Sequence, residues 1–313
     1  MDPIILFFLL GLVAGLLRSE LRLPAAVYDL VSMLLLLAIG MKGGIELAKQ
    51  SFGDLLPQML AVMSMGLALP LIAFPVLRYV GRLKRADAAS IAAHYGSVSV
   101  ATYAVAAAWF ASQQIAFEAH MPLLLAVLEI PAILVGIVLA RGLSREIRLG
   151  TVAHEVFLGK GIVLLIGGLL IGWASGPEGI APLKPLFFDL FKGILALFLL
   201  EMGLITAAHF GSLRRYGLFL VLFGIGMPLF SSLVGTALGC MLGLSVGGTA
   251  MLAVLAASAS YIAVPAAMRI SVPEANPTLS LAAALGVTFP FNVLAGIPLY
   301  YALATRAHAF LGA

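Results

Sequence analysis

Charged residues make up only 10% of this 313-residue chain, while hydrophobic residues make up 62%. Ordinary soluble domains carry about 25% charged residues, so a single soluble core cannot account for this composition. Cysteine is nearly absent. The single Cys240 lies inside an apolar run and excludes an internal disulfide, a cysteine zinc site and a Cys–Cys redox pair. There is no basic stripe interleaved with aromatics, so the net charge of +4 does not point to nucleic acid. A basic start is missing too: Met1-Asp2-Pro3 leads into an apolar run from Ile4 to Leu17 without a clear cleavage motif. That run reads as a retained first span rather than a signal peptide. No His-Glu-x-x-His metal motif, Gly-x-Ser-x-Gly elbow or phosphate-cradling loop is present. The connector from Arg141 to Lys160 is too short for a catalytic domain, so the residues point away from an enzyme.

What the chain has is long hydrophobic runs, with a mean hydropathy of +1.13. A spanning helix needs about 20 predominantly apolar residues. The runs predict ten spans, at 4–17, 23–41, 55–77, 86–110 and 121–140 in the first half. Those of the second half fall at 161–174, 186–208, 216–242, 246–268 and 279–304. The first and sixth are both short. Thirteen of the 18 Lys and Arg residues fall in the odd-numbered connectors, among them Arg18, Arg78, Arg141, Arg145, Arg148, Arg214 and Arg269. The other side holds Lys42, Lys49, Lys184, Lys192 and Arg306. By the positive-inside rule the odd connectors are cytoplasmic and both termini lie outside, in a bacterial inner membrane.

The halves correspond to each other. Ile39-Gly40-Met41 parallels Met202-Gly203-Leu204, Gly96-Ser97-Val98-Ser99 parallels Ala257-Ser258-Ala259-Ser260, and Glu129-Ile130-Pro131 parallels Thr288-Phe289-Pro290. With five spans per half, the second copy must enter from the opposite face, which gives an inverted repeat. The expected organisation is an all-α polytopic fold: a first five-helix repeat over 1–150, a cytoplasmic linker over 151–160, and a second repeat over 161–313. Such duplication is common in secondary transporters, although channels and a few membrane enzymes share it. Gly11–Gly15 and Gly235–Gly239 form GxxxG patterns that serve helix packing.

The fourth and ninth spans carry the densest polar content. Gly96, Ser97, Ser99 and Thr102 lie mid-span in one; Ser258, Ser260 and Tyr261 lie mid-span in the other, with Pro265 four residues on. Glycine and proline weaken a helix, and Pro265 is expected to leave the Tyr261 carbonyl without its donor. Broken helices in a bilayer are tolerated where they line a cavity. Two interrupted helices would present free N–H groups and positive dipole ends to an anion, with serine hydroxyls as further donors. Close helix packing on small residues is the competing explanation.

Glu129 sits in an apolar run just before Ile130-Pro131. An intramembrane carboxylate lines a pathway, coordinates a cation or exchanges a proton, or else is a hydrogen-bonded structural group. Thr288 is its repeat counterpart. Glu201, Lys42 and Glu46 fall near interfaces: Glu201 has either an orienting or a functional role, and Lys42 and Glu46 snorkel. His94 reads as a satisfied structural histidine, the alternative being a group that shapes the cavity or titrates.

At these residues the chain resembles the sodium-dependent bicarbonate transporter family, best known from cyanobacteria. The resemblance rests on Ile39-Gly40-Met41-Lys42-Gly43-Gly44, on Gly96-Ser97-Val98-Ser99 with Thr102, on Glu129-Ile130-Pro131-Ala132, on Met202-Gly203-Leu204 and on Pro273-Glu274-Ala275-Asn276-Pro277. It implies a gate domain and a core domain, a homotrimer, elevator-type symport of bicarbonate with sodium as the coupling ion, and control by a PII-like protein. It implies substrate binding by Gly96, Ser97, Val98, Ser99 and Thr102 in the first segment and by Ser258, Ala259 and Ser260 in the second. Glu129, with Tyr261 and Thr288, would serve the coupling ion, with sodium at Glu129 and Tyr261. Three departures stand out. Val100-Ala101 replaces a Gly-Ser pair, Tyr261 replaces an aspartate that would be a natural sodium ligand, and the cytoplasmic connectors are short for a PII-like partner. The alternatives are a symporter of another small carboxylate and a cation/proton antiporter using Glu129.

Overall fold

The computed structural model describes residues 3–49, 52–142, 154 and 158–312, and among them the chain forms helices and no strand. Where water is absent, a helix satisfies each backbone N–H and C=O within its own segment. In chain order the helices are α1 (Pro3–Leu16), α2 (Ala25–Leu47), α3 (Phe52–Pro75), α4 (Arg85–Gly96), α5 (Val100–Ser112), α6 (Met121–Glu129) and α7 (Pro131–Arg141). They continue as α8 (Lys160–Ile180), α9 (Phe191–Tyr216), α10 (Leu218–Met241), α11 (Val246–Ala256), α12 (Ala263–Ser271) and α13 (Pro277–Leu311). Arg145 and Arg148, on the connector expected to be cytoplasmic, lie outside the described residues.

Seven stretches among the described residues are long and apolar enough to cross a membrane. The chain is therefore a multi-pass membrane protein. At 12 and 13 residues, α4 and α5 are each too short to cross alone, since about 20 residues are needed. Only in succession do they cover the thickness.

The ends of several spans differ from those expected. The sixth is regular only from Lys160 to Ser175, close to the expected end, and Gly176 with a φ of 61° breaks it before Pro177 starts a further short stretch to Ile180. The last begins at Pro277 because the Asn276 side chain accepts the Thr278 N–H at 3.0 Å, and Pro277 fills a first-turn position that needs no donor. The Asp87 carboxylate accepts the Asn276 N–H at 2.8 Å and so ties this start to α4. The seventh begins late, at Phe191, after a widened π-type turn over Pro185–Asp189.

Packing divides the helices into two groups. α1 lies along α9, and α2 lies along α8. Lipid is as apolar as leucine, so these helices associate through close contact between small residues rather than through the hydrophobic effect. A Cβ on Gly203 of α9 would stand 2.2 Å from the Phe8 carbonyl oxygen of α1, and one on Gly44 of α2 would stand 2.0 Å from that of Leu169 in α8. The contacts repeat across the two pairs. Gly11 meets Leu200 and Leu204 just as Gly168 meets Leu37 and Met41. In the second group α4 packs between α3 and α7, and α11 packs between α10 and α13. Phe8 and Phe289 meet edge to face at 5.8 Å, joining α1 to α13. Leu10, Leu60, Leu71, Leu170 and Leu222 face outward, as lipid contact allows.

Candidate transport site

The fourth hydrophobic run is interrupted between α4 and α5. Gly96 closes α4 where no side chain fits: a Cβ there would stand 2.2 Å from Cγ of Pro70 on α3. Ser97 and Ser99 are extended, with φ −95° and −113°. The Ser99 hydroxyl then caps α5, accepting the Thr102 N–H at 3.1 Å. The ninth run is interrupted between Ala256 and Ala263. Pro265 does not make this break. It sits in the first turn of α12, where its missing N–H has no helical partner to lose, and Tyr261 precedes the helix altogether.

The two interruptions are tied to each other. The Ser99 N–H donates to the Ser258 hydroxyl at 3.0 Å, and the Ser260 N–H donates to the His94 carbonyl at 2.9 Å. His94 Nδ1 returns the bond to the Ser260 carbonyl. Because that acceptor is a carbonyl, the imidazole carries a proton on Nδ1. Asn292 on α13 donates to the Ala257 carbonyl at 2.9 Å and accepts the Tyr300 hydroxyl at 2.7 Å. These bonds satisfy backbone groups that the broken helices leave without helical partners.

A small cavity of ≈ 10 Å³ lies where both restarting helices begin. Ser99 and Val100 line it from the first interruption, Ser260, Tyr261 and Ile262 from the second, and Glu129 and Gly161 close it. The hydroxyls are not equivalent. Ser97 donates to the Glu129 carbonyl at 3.4 Å and Ser258 to the Leu255 carbonyl at 2.8 Å, so their protons are committed. Ser99 and Ser260 accept, from Thr102 and at 3.5 Å from Val264; the Ser99 hydroxyl turns its proton toward the Tyr261 hydroxyl across the cavity, and Ser260 keeps its own to donate. Two helix N-termini and two serine hydroxyls give this lining donors of the kind a small anion takes, around a space that in this conformation is about that of one water.

Glu129 is 3% exposed, and its Oε2 has no hydrogen-bond partner among the described residues. It ends α6, and after Ile130 the chain starts again as α7 at Pro131. A Cβ on Gly161 would lie 4.0 Å from Glu129 Oε1, so α8 approaches this carboxyl closely. The Tyr261 hydroxyl oxygen is also buried, with the Ser99 side chain as its polar neighbour. An unpartnered polar atom is costly at this depth, and Glu129 Oε2 is one that faces this cavity.

A family model described as the Na+-dependent bicarbonate transporter superfamily matches residues 3–305. The chain belongs to that superfamily. Comparison with curated proteins gives no match. Membership makes the chain a membrane protein of a bicarbonate and ion transport superfamily.

Within this superfamily member, the residues picked out from sequence fall into three sets. Val98, Ser99, Ser260, Tyr261 and Glu129 meet at the cavity. Gly96, Ser97, Thr102, Ser258 and Ala259 are buried beside it and shape the backbone. Thr288 is elsewhere: its hydroxyl accepts from Tyr95 at 2.7 Å and donates to the Gly224 carbonyl at 2.7 Å, and it does not line the cavity. No cluster of three or more His, Cys, Asp or Glu occurs among the described residues. A cation here would rely on hydroxyl and carbonyl oxygens with Glu129. Asn292, Tyr300 and Gly161 went unnoticed in the sequence. A fully buried Asn inside an apolar run was the signal for the first.

Proposed function

We propose that this protein is a secondary transporter that couples sodium entry to bicarbonate uptake, with the anion held between the two interrupted helices. The observation that carries the reading is the shared cavity at the starts of α5 and α12, lined by the Ser99 and Ser260 hydroxyls. Family membership supports bicarbonate as the anion and sodium as the driving ion. Sodium would bind through Glu129 and neighbouring oxygens, with the Tyr261 carbonyl in place of an aspartate.

The paired glycine contacts of α1 with α9 and of α8 with α2 support an inverted repeat of residues 1–150 and 161–313, joined by a linker over 151–160. The same pairing separates α1, α2, α8 and α9 from the remaining helices. That division supports an elevator motion in which the second group carries the site past the first. On this reading the protein lies in a bacterial inner membrane with both termini outside, as a homotrimer.

The unpartnered Glu129 carboxyl favours one rival, a cation/proton antiporter. Uptake of labelled bicarbonate into proteoliposomes, with and without an inward sodium gradient, separates the two. Symport predicts accumulation that follows the gradient. Cation flux without bicarbonate, abolished by Glu129→Gln, would identify the antiporter instead.

A further inference from the structure

A second cavity, of ≈ 580 Å³, opens between α2 and α9 on one side and α5 with the connector after it on the other. Its size falls within the ~300–1,000 Å³ usual for small-molecule sites and far exceeds what a bicarbonate ion fills. Lys42 of α2 and Lys192 of α9 stand on its wall, and no carboxylate lines it. The nearby acids are engaged elsewhere. Glu46 holds Lys49 at 2.8 Å, Asp189 faces Lys184 at 4.0 Å, and Glu118 accepts the Ser245 N–H at 2.6 Å. Neither Lys42 nor Lys192 makes an ion pair among the described residues.

The interior of the cavity is different in kind. Phe117, Phe188 and Phe191 give it apolar walls, and Tyr103 of α5 lines it while only 4% exposed. The Tyr103 hydroxyl has no hydrogen-bond partner among the described residues. Its oxygen opens into the cavity, where it is free to donate to a ligand. We infer that this cavity is a binding site for a water-soluble organic monocarboxylate with an apolar body. The carboxylate would meet Lys42, Lys192 and the Tyr103 hydroxyl, and the apolar body would lie against the phenylalanines.

Calorimetric titration of the purified protein in a neutral detergent tests this without requiring transport. Phenylacetate supplies both chemical features, phenylacetamide keeps the body without the charge, and acetate keeps the charge without the body. Phenylacetate is expected to bind at least ~10-fold more tightly than either control. The Lys42→Gln/Lys192→Gln double variant should weaken it by about tenfold, and Tyr103→Phe by about threefold. Lys42→Arg/Lys192→Arg should restore binding. Equal binding of phenylacetate and phenylacetamide, or phenylacetate binding indifferent to the double variant, would overturn the assignment. So would loss of lysine-dependent binding when phosphatidylglycerol is added to the micelles, which would give the cavity to lipid. Sodium-driven bicarbonate uptake is a separate measurement, so failure here leaves the transport reading standing and the reverse also holds.

Discussion

Ser97 and Ser99 lie two residues apart in one interruption, yet their replacement by alanine should have different consequences. The Ser97 proton is committed to the Glu129 carbonyl at 3.4 Å, a long bond, so Ser97→Ala removes little that an anion feels. Ser99 lines the cavity, with only the Tyr261 hydroxyl beside its proton, a partner that an entering anion can replace. A hydrogen bond to a charged partner contributes about 1.5–3 kcal/mol, which corresponds to roughly 10- to 150-fold in affinity. Losing the cap on α5 costs about a further 1 kcal/mol of stability. Ser99→Ala should therefore raise the KM for bicarbonate by at least ~10-fold and lower Tm modestly, whereas Ser97→Ala should change KM by less than ~3-fold. Initial rates of labelled uptake, with melting curves on the same preparations, read both. Equal effects of the two substitutions, or a Ser99→Ala protein with unchanged KM, would refute the accounting of donors that assigns the anion to this cavity.

Further outcomes follow from the same geometry. Asn292→Ala strands the Ala257 carbonyl and the Tyr300 hydroxyl, each buried, at about 1–3 kcal/mol apiece; melting should fall well below that of Tyr300→Phe, which strands one acceptor. Gly96→Ala drives a Cβ to 2.2 Å from Pro70, so yield of folded protein should drop sharply, with partial recovery in Gly96→Ala/Pro70→Ala. Glu129→Gln keeps the shape of the buried side chain and removes its capacity for charge. Uptake should then lose its dependence on sodium concentration, and retention of a normal sodium response would remove Glu129 from the coupling site.

Much of this organisation is legible from sequence because bilayer chemistry imposes simple patterns. Runs of apolar residues mark the helices, and Gly96-Ser97-Val98-Ser99 and Ser258-Ala259-Ser260 stand out as polar stretches inside such runs. What one sequence cannot convey is which polar atoms spend their hydrogen bonds on the backbone. Ser97 and Ser99 look alike in the chain, and only the fold turns one to a carbonyl and the other to the cavity. Thr288 matches Glu129 by position in the repeat, but its hydroxyl is taken up by Tyr95 and Gly224. Pro265 looked like the cause of a break because a proline disrupts a continuing helix; here it starts one. Gly161 gives no signal at all, since its importance lies in the approach of α8 to a carboxyl far away in sequence.

The account rests on an anion lying between the starts of α5 and α12, and the lone Cys240 makes this directly measurable. In a Cys240→Ser background, Ile262→Cys places a thiol on the cavity wall, and Leu71→Cys places one on the lipid-facing surface. Bicarbonate with sodium should slow thiol modification of the first several-fold and leave the second unchanged. Modification of Ile262→Cys at the same rate with and without bicarbonate would contradict a site between the interrupted helices.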